Sequence, residues 1–139
     1  MRTVLLLIVL IAIPARAWAA PQDSQTLAFE KVIDGATIVA SGKTVALWGV
    51  KALDPAEPAS FAARLYLETM LGKGELSCDE IGAQGGRHVM HCYSDGADIG
   101  SLMVQMGLAW AAGPYYQTEE AYAKALQRGV WRPEQGRPL

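Results

Sequence analysis

Short apolar runs open the body of the chain: Leu27 to Ile33, Thr37 to Ala40 and Thr44 to Val50 are rich in Val, Ile, Leu and Trp. Asp34-Gly35 and Ser41-Gly42-Lys43 separate them, and turn signals between β-rich runs predict three strands in a meander. The period then changes. From Pro58 to Leu71 the residues Phe61, Ala62, Leu65, Tyr66 and Met70 recur at helical spacing, with proline suited to the first helical position and Gly72 to the stop. Such a stripe is expected to face the core. Residues 75–81 and 87–94 form a second pair of candidate strands around a glycine-rich loop, Gly82 to Gly86.

Two more helices are expected beyond that hairpin. Asp98 can cap one in which Ile99, Leu102, Met103 and Met106 share a face, ending at Gly107. Thr118 can cap another, with Glu119 and Glu120 in its first turn and Arg128 in its last, each favourable for the helix dipole. Gly129 would end that helix and Trp131 would pack back on the body. The predicted fold is mainly β with α, a five-stranded OB-fold Greek-key barrel with about three helices.

The first residues belong to a different class. Met1-Arg2 gives a positive start, Val4 to Ile13 is an apolar run too short to span a membrane, and Ala17-Trp18-Ala19 supplies small residues at a cleavage position. Residues 1–19 are read as a secretory signal peptide, residues 20–25 and 133–139 as mobile tails, and 26–132 as one domain. Export makes the protein periplasmic or secreted, with no membrane span after cleavage. Removing residues 1–19 takes away Arg2 and Arg16 and no acids, so the formal charge falls from −2 to −4. That acidic balance disfavours nucleic acid as a partner, because phosphate neutralisation calls for a basic stripe.

Cys78 and Cys92 are the only cysteines, and in an oxidising compartment such a pair predicts a disulfide. The two lie equally far from Gly85, so antiparallel pairing about the glycine loop sets them opposite each other. His88 and His91 lie near Cys92, but two cysteines without closely spaced partners make a poor zinc site, and no metal is expected.

Several pieces, in order, carry a resemblance. They are Val32-Ile33-Asp34-Gly35-x-Thr37-Ile38, Leu47-Trp48-Gly49-Val50, Gly86-Arg87, Asp95-Gly96-x-Asp98-Ile99-Gly100, Gly107-Leu108-Ala109-Trp110 and Gly129-Val130-Trp131. This ordered set resembles the thermonuclease family of staphylococcal-nuclease-like domains. The resemblance implies an OB-fold barrel with three helices and, in active members, calcium-dependent hydrolysis of DNA and RNA phosphodiester bonds. Carboxylates hold the calcium, a glutamate assists the attacking water, and two arginines stabilise the charge that builds on phosphorus.

Carried over residue by residue, much of that site is missing. The first calcium-binding aspartate falls at Ala36, one phosphate-clamping arginine at Ala46, and the second calcium-binding aspartate at Lys51. The catalytic glutamate has two uncertain equivalents, Asp54 without a gap and Glu57 with an insertion. Arg87 alone keeps its family-type identity. Losing two carboxylates and gaining an ammonium disfavours a divalent cation, which implies a pseudo-nuclease with no cofactor; calcium enters only if hydrolysis survives. Lys51 is expected either to replace the ion by pairing with Asp34, Asp54 or Glu57, or to lie solvated at a loop edge.

Three functions follow from this reading. One is a binding module for an unknown protein or small ligand, with Tyr115 and Tyr116 as stacking candidates or as packing for their loop. A second is a divergent endonuclease built on Arg87, His91, Asp54 and Glu57, in which Arg87 and His91 share a strand face. The third, which the resemblance also admits, is an accessory role in cell-envelope or exopolysaccharide assembly.

Overall fold

A computed structural model of the chain describes residues 24–133. The expected signal peptide and most of both expected tails lie outside the described residues. Gln25 does not belong to a tail: it opens β1 (Gln25–Leu27) and stands opposite Cys78.

Nine strands and three α-helices are seen among the described residues, against the expected five strands and about three helices. The extra strands arise partly where one run becomes two. The run from Leu27 splits at Ala28 into β1 and β2 (Phe29–Asp34), and β3 (Thr37–Ala40) follows. The run from Thr44 splits at Trp48-Gly49 into β4 (Lys43–Leu47) and β5 (Val50–Ala52), because Gly49 adopts φ +78°, a left-handed turn that strand alternation cannot pass through. Helix α1 (Ala59–Leu71) precedes the long hairpin of β6 (Leu76–Gln84) and β7 (Arg87–Ser94). Then come β8 (Ala97–Asp98), α2 (Ile99–Gln105), β9 (Ala109–Ala111), α3 (Gln117–Ala125) and a 3₁₀ turn, Gly129–Trp131.

The main sheet runs β1-β6-β7-β4-β3-β2, with β8 added beside β7. All its pairings are antiparallel except β4 with β7. Its two ends, β1 and β2, are joined in sequence by Ala28 alone, so the sheet curls into a mixed half-barrel. Both backbone groups of Ala28 are satisfied by Ser41, through Ala28 N–H to Ser41 Oγ at 2.9 Å and Ser41 N–H to Ala28 O at 2.8 Å. A separate ribbon pairs β5 with β9.

Inside the curl, Ile38, Val45 and Met90 of the sheet meet Leu67 of α1 and Ile99 and Met103 of α2, all fully buried. Helix α1 turns a different face inward from the one expected. Ala63, Leu67 and Leu71 are buried and, of the expected stripe, Tyr66 and Met70 pack half-buried against the core, whereas Phe61, Ala62 and Leu65 are exposed. Both stripes satisfy a helical period, and contact with the sheet selects the first. In α2, Ile99 and Met103 are buried as expected, but Leu102 is half-buried and Met106 is exposed. Helix α3 is preceded by Tyr116 in a left-handed conformation (φ 57°) instead of being capped by Thr118, and Lys124, not Arg128, supplies the cation of its last turn. Gly129 does not end α3. It lies against Gly107, where Val130 N–H donates to Gly107 O at 2.9 Å and leaves no room for a β-carbon on either glycine.

The β6–β7 hairpin turns at Gly85-Gly86 alone, both with positive φ (57° and 77°), not over the five-residue loop expected. A two-residue turn with strict alternation would set Cys78 opposite Tyr93. A bulge at Ile81, between the pairs Gly82 with Val89 and Glu80 with Met90, shifts the register by one. Cys78 therefore faces Cys92 and the two form a disulfide.

Candidate functional site

Alternation along β7 sends Met90, Cys92 and Ser94 inward and leaves Arg87, Val89, His91 and Tyr93 on the opposite face. Arg87 and His91 thus share a face, and Arg87 stands exposed beside the Gly85-Gly86 turn. Across the parallel pairing, Ala46 of β4 lies next to Val89, and Trp48 N–H donates to Met90 O at 2.9 Å. That bond anchors Trp48 over the β7 face, where its ring centroid lies 4.8 Å from that of His91.

Two further segments converge on His91. The turn Asp95-Gly96, both residues with positive φ, folds β8 back so that Asp98 pairs with Tyr93. Asp98 caps α2 by accepting from Ser101 N–H at 3.1 Å, and its other oxygen lies 2.9 Å from His91 Nε2. Tyr116 O–H donates to the same carboxylate at 2.9 and 3.0 Å, and Tyr93 O–H stands 3.1 Å from His91 Nδ1. An ionised Asp98 assigns the proton on Nε2, which leaves Nδ1 to accept from Tyr93. Every polar atom of the imidazole is then in use.

Glycine makes the placement of Tyr116 possible. A β-carbon on Gly49 would lie 2.7 Å from Tyr116 Cε2, and one on Gly100 would lie 2.9 Å from the same atom. The phenol ring is therefore slotted between the bend after Trp48 and the first turn of α2. Burial pushes the Tyr116 hydroxyl well above its ordinary pKa, and the hydrogen bond to Asp98 and that residue's charge push it the same way. Tyr93 is raised too, by burial first and then by the charges of Asp79 and Asp98. Both phenols stay protonated and donate, and the carboxylates that act on them are chiefly those of Asp79 and Asp98.

The outer part of the cluster is aromatic. Trp48 and Tyr115 have ring centroids 4.0 Å apart, and Tyr115 is 43% exposed. Tyr116 lies beneath, edge-on to Trp48 at 5.9 Å. The expected tyrosine pair thus divides: Tyr115 presents a ring to solvent, and Tyr116 is half-buried and hydrogen-bonded.

The remaining expected site residues lie as follows. Ala36 is buried in the β2–β3 turn, where its N–H donates to Asp34 Oδ1 at 2.9 Å, so Asp34 shapes the turn. Its carbonyl accepts from Leu47 N–H at 2.8 Å, which brings positions 36 and 46 close together. Lys51 is exposed on β5 opposite Trp110 and makes no ion pair within 4.0 Å among the described residues, so the expected pairing with Asp34, Asp54 or Glu57 is not found. Asp54 accepts from Ala56 N–H at 2.8 Å in the bend before α1, and neither it nor Glu57 bonds to Arg87 or His91. At the two positions that the resemblance assigns to calcium ligands, Ala36 offers a methyl group and Lys51 an ammonium, neither of which is a donor for calcium. Among the described residues no three Asp, Glu, His or Cys side chains are grouped to hold a metal ion.

Sequence reasoning missed Tyr93 and the second role of Asp98. The available signals were the two-residue spacing from His91 to Tyr93 and the Asp95-Gly96 turn that returns Asp98 to it. Compared with models of known protein families and with curated proteins, the chain matches none.

Proposed function

We propose that this chain is an exported, staphylococcal-nuclease-like OB-fold domain that has lost calcium-dependent phosphodiester hydrolysis and serves as a binding or accessory module. The observation that carries the reading is the aromatic face of Trp48 and Tyr115 above the His91–Asp98–Tyr116 network. A general base needs a nitrogen that can reach substrate, and both nitrogens of His91 are bonded within the protein. The network positions aromatic rings instead.

The OB assignment is supported by connectivity. With β1 and β2 counted as one bent strand, the path visits first, second, third, fifth and fourth strands and returns to the first, the closure a five-stranded Greek-key barrel requires. The Cys78–Cys92 disulfide supports export, since such bonds persist in oxidising compartments.

The ligand class follows from charge. Asp79 and Asp98 act beside the ring pair and no arginine stands at position 46, while Arg87 lies four residues from His91 along the same strand face, so a polyanion is disfavoured at the rings themselves. A neutral or cationic ring, a sugar or an aromatic peptide side chain, suits stacking on Tyr115 and Trp48. The purified protein, assayed on DNA and RNA with calcium and then with chelator, is expected to cleave neither. Robust calcium-dependent cleavage that disappears in Arg87→Ala overturns the reading. Tryptophan fluorescence should respond to neutral oligosaccharides or aromatic peptides, with the response lost in Tyr115→Ala.

A further inference from the structure

Helix α1 carries a second apolar stripe that no other element among the described residues covers. At 100° per residue, Leu65 points directly away from the core residues Ala63, Leu67 and Leu71, and Phe61 flanks it one turn earlier. Phe61 is 73% exposed and Leu65 53%. These side chains do not stand alone. Phe61 borders a cavity of about 280 Å³ whose apolar wall is Ile33, Leu53, Pro55 and Ala63, and Ile33 is itself 45% exposed. The cavity is small for a drug-sized ligand but takes one aromatic side chain.

The geometry points to a second copy of this chain as the occupant, docked about a twofold axis through the outer face of α1. Such an interface must be self-complementary, since the same patch serves both partners. This patch carries both halves: a projecting phenyl ring and, beside it, a cavity that accepts one. Its charges have the same property. Asp34 and Arg64 line the cavity, yet they form no ion pair with each other, and Arg64 has no carboxylate within 4.0 Å among the described residues. Across a twofold axis the guanidinium of one copy meets Asp34 of the other, twice, at the rim of a paired apolar core. A heterologous protein could exploit the apolar stripe, but it would have no reason to find a knob, a hole and both signs of charge on one patch.

Sedimentation equilibrium of the purified protein from micromolar to millimolar concentration tests this. A monomer–dimer equilibrium is expected, and Phe61→Ser should weaken it by roughly tenfold or more, since each dimer loses two buried phenyl groups. Leu65→Glu should abolish it, Arg64→Ala should remove most of its salt dependence, and Tyr122→Ser, at an exposed aromatic on α3, should leave it unchanged. All four positions are exposed, and an intact disulfide with an unaltered circular dichroism spectrum shows that each variant is folded. A chain that stays monomeric at millimolar concentration overturns the proposal, even if another protein binds the patch. So does a dimer indifferent to both Phe61→Ser and Leu65→Glu.

Discussion

Gly49→Ala tests whether Tyr116 is held by its slot. Two costs are separable. The first is conformational, because at φ +78° an alanine meets the left-handed penalty, about 1–2 kcal/mol, partly offset by reduced freedom of the unfolded chain. The second is steric, because the new methyl would stand 2.7 Å from Tyr116 Cε2 and 3.3 Å from Tyr115 Cβ. Forcing a methyl into such a contact typically costs about 1–3 kcal/mol. Gly42 supplies the control: its φ is +73°, and an added β-carbon meets nothing within 4 Å. Gly42→Ala should therefore show the conformational cost alone, and Gly49→Ala should exceed it by about 1–3 kcal/mol in urea unfolding of the disulfide-intact protein. In a Tyr116→Ala background most of the excess should vanish, leaving only the 3.3 Å approach to Tyr115 Cβ. If Gly49→Ala costs no more than Gly42→Ala, the ring is not where the hydrogen bonds to Asp98 require it to be, and the account of the site fails with it.

Other predictions follow from the same geometry. Because the Tyr116 hydroxyl titrates higher folded than unfolded, its contribution is complete below pH about 10 and is lost as pH rises through the folded value. Thermal midpoints should therefore fall above pH about 10, more steeply in the parent protein than in Tyr116→Phe; equal slopes would contradict the burial of that phenol. Replacing Cys78 and Cys92 together by alanine should cost about 3 kcal/mol by loop-closure entropy, read from chemical denaturation. Deleting Ile81 removes only the bulge and keeps Cys78 opposite Cys92, so the thiols of that variant should still be oxidised by mass spectrometry. Asp98→Asn should cost more stability than Ser101→Ala, because Asp98 serves a helix cap, His91 and Tyr116 at once, while Ser101→Ala keeps the capping N–H and removes only a hydroxyl that accepts from Gln105 Nε2.

What the sequence disclosed was local. The Asp34-Gly35, Ser41-Gly42 and Asp95-Gly96 turns, the cap at Asp98 and the facing of Cys78 and Cys92 all follow from residues close in sequence. Even there one inference reached its result by another route: equal distance from Gly85 implied the cysteine pairing, but a two-residue turn and a bulge produce it. The inward face of α1 was legible only at its flank, where Tyr66 and Met70 pack against the core. Phe61-Leu65 and Ala63-Leu67-Leu71 are both helical stripes, and only the position of the sheet decides between them. The partner of His91 was not legible. Asp98 lies seven residues away along the chain, and its arrival depends on how tightly β8 folds back on β7.

Three small residues explain why a cluster drawn from four segments can be so closely joined. Gly49 bends the chain after Trp48, Gly96 turns Asp98 back, and Gly100 opens the start of α2, so that one phenol reaches one carboxylate from a distant loop. In the sequence these glycines looked like markers of a fold; in the structure two of them are the walls of a slot. The carboxylate at the centre accepts from an imidazole, a phenol and a backbone N–H, which nearly exhausts its acceptor sites. An acid held in this way is poorly placed to take up a metal ion or a substrate proton without breaking the contacts that locate Trp48 and Tyr115. On the function proposed above, the reactive-looking residues of the cluster are committed to position, and recognition would fall to the two rings beside them.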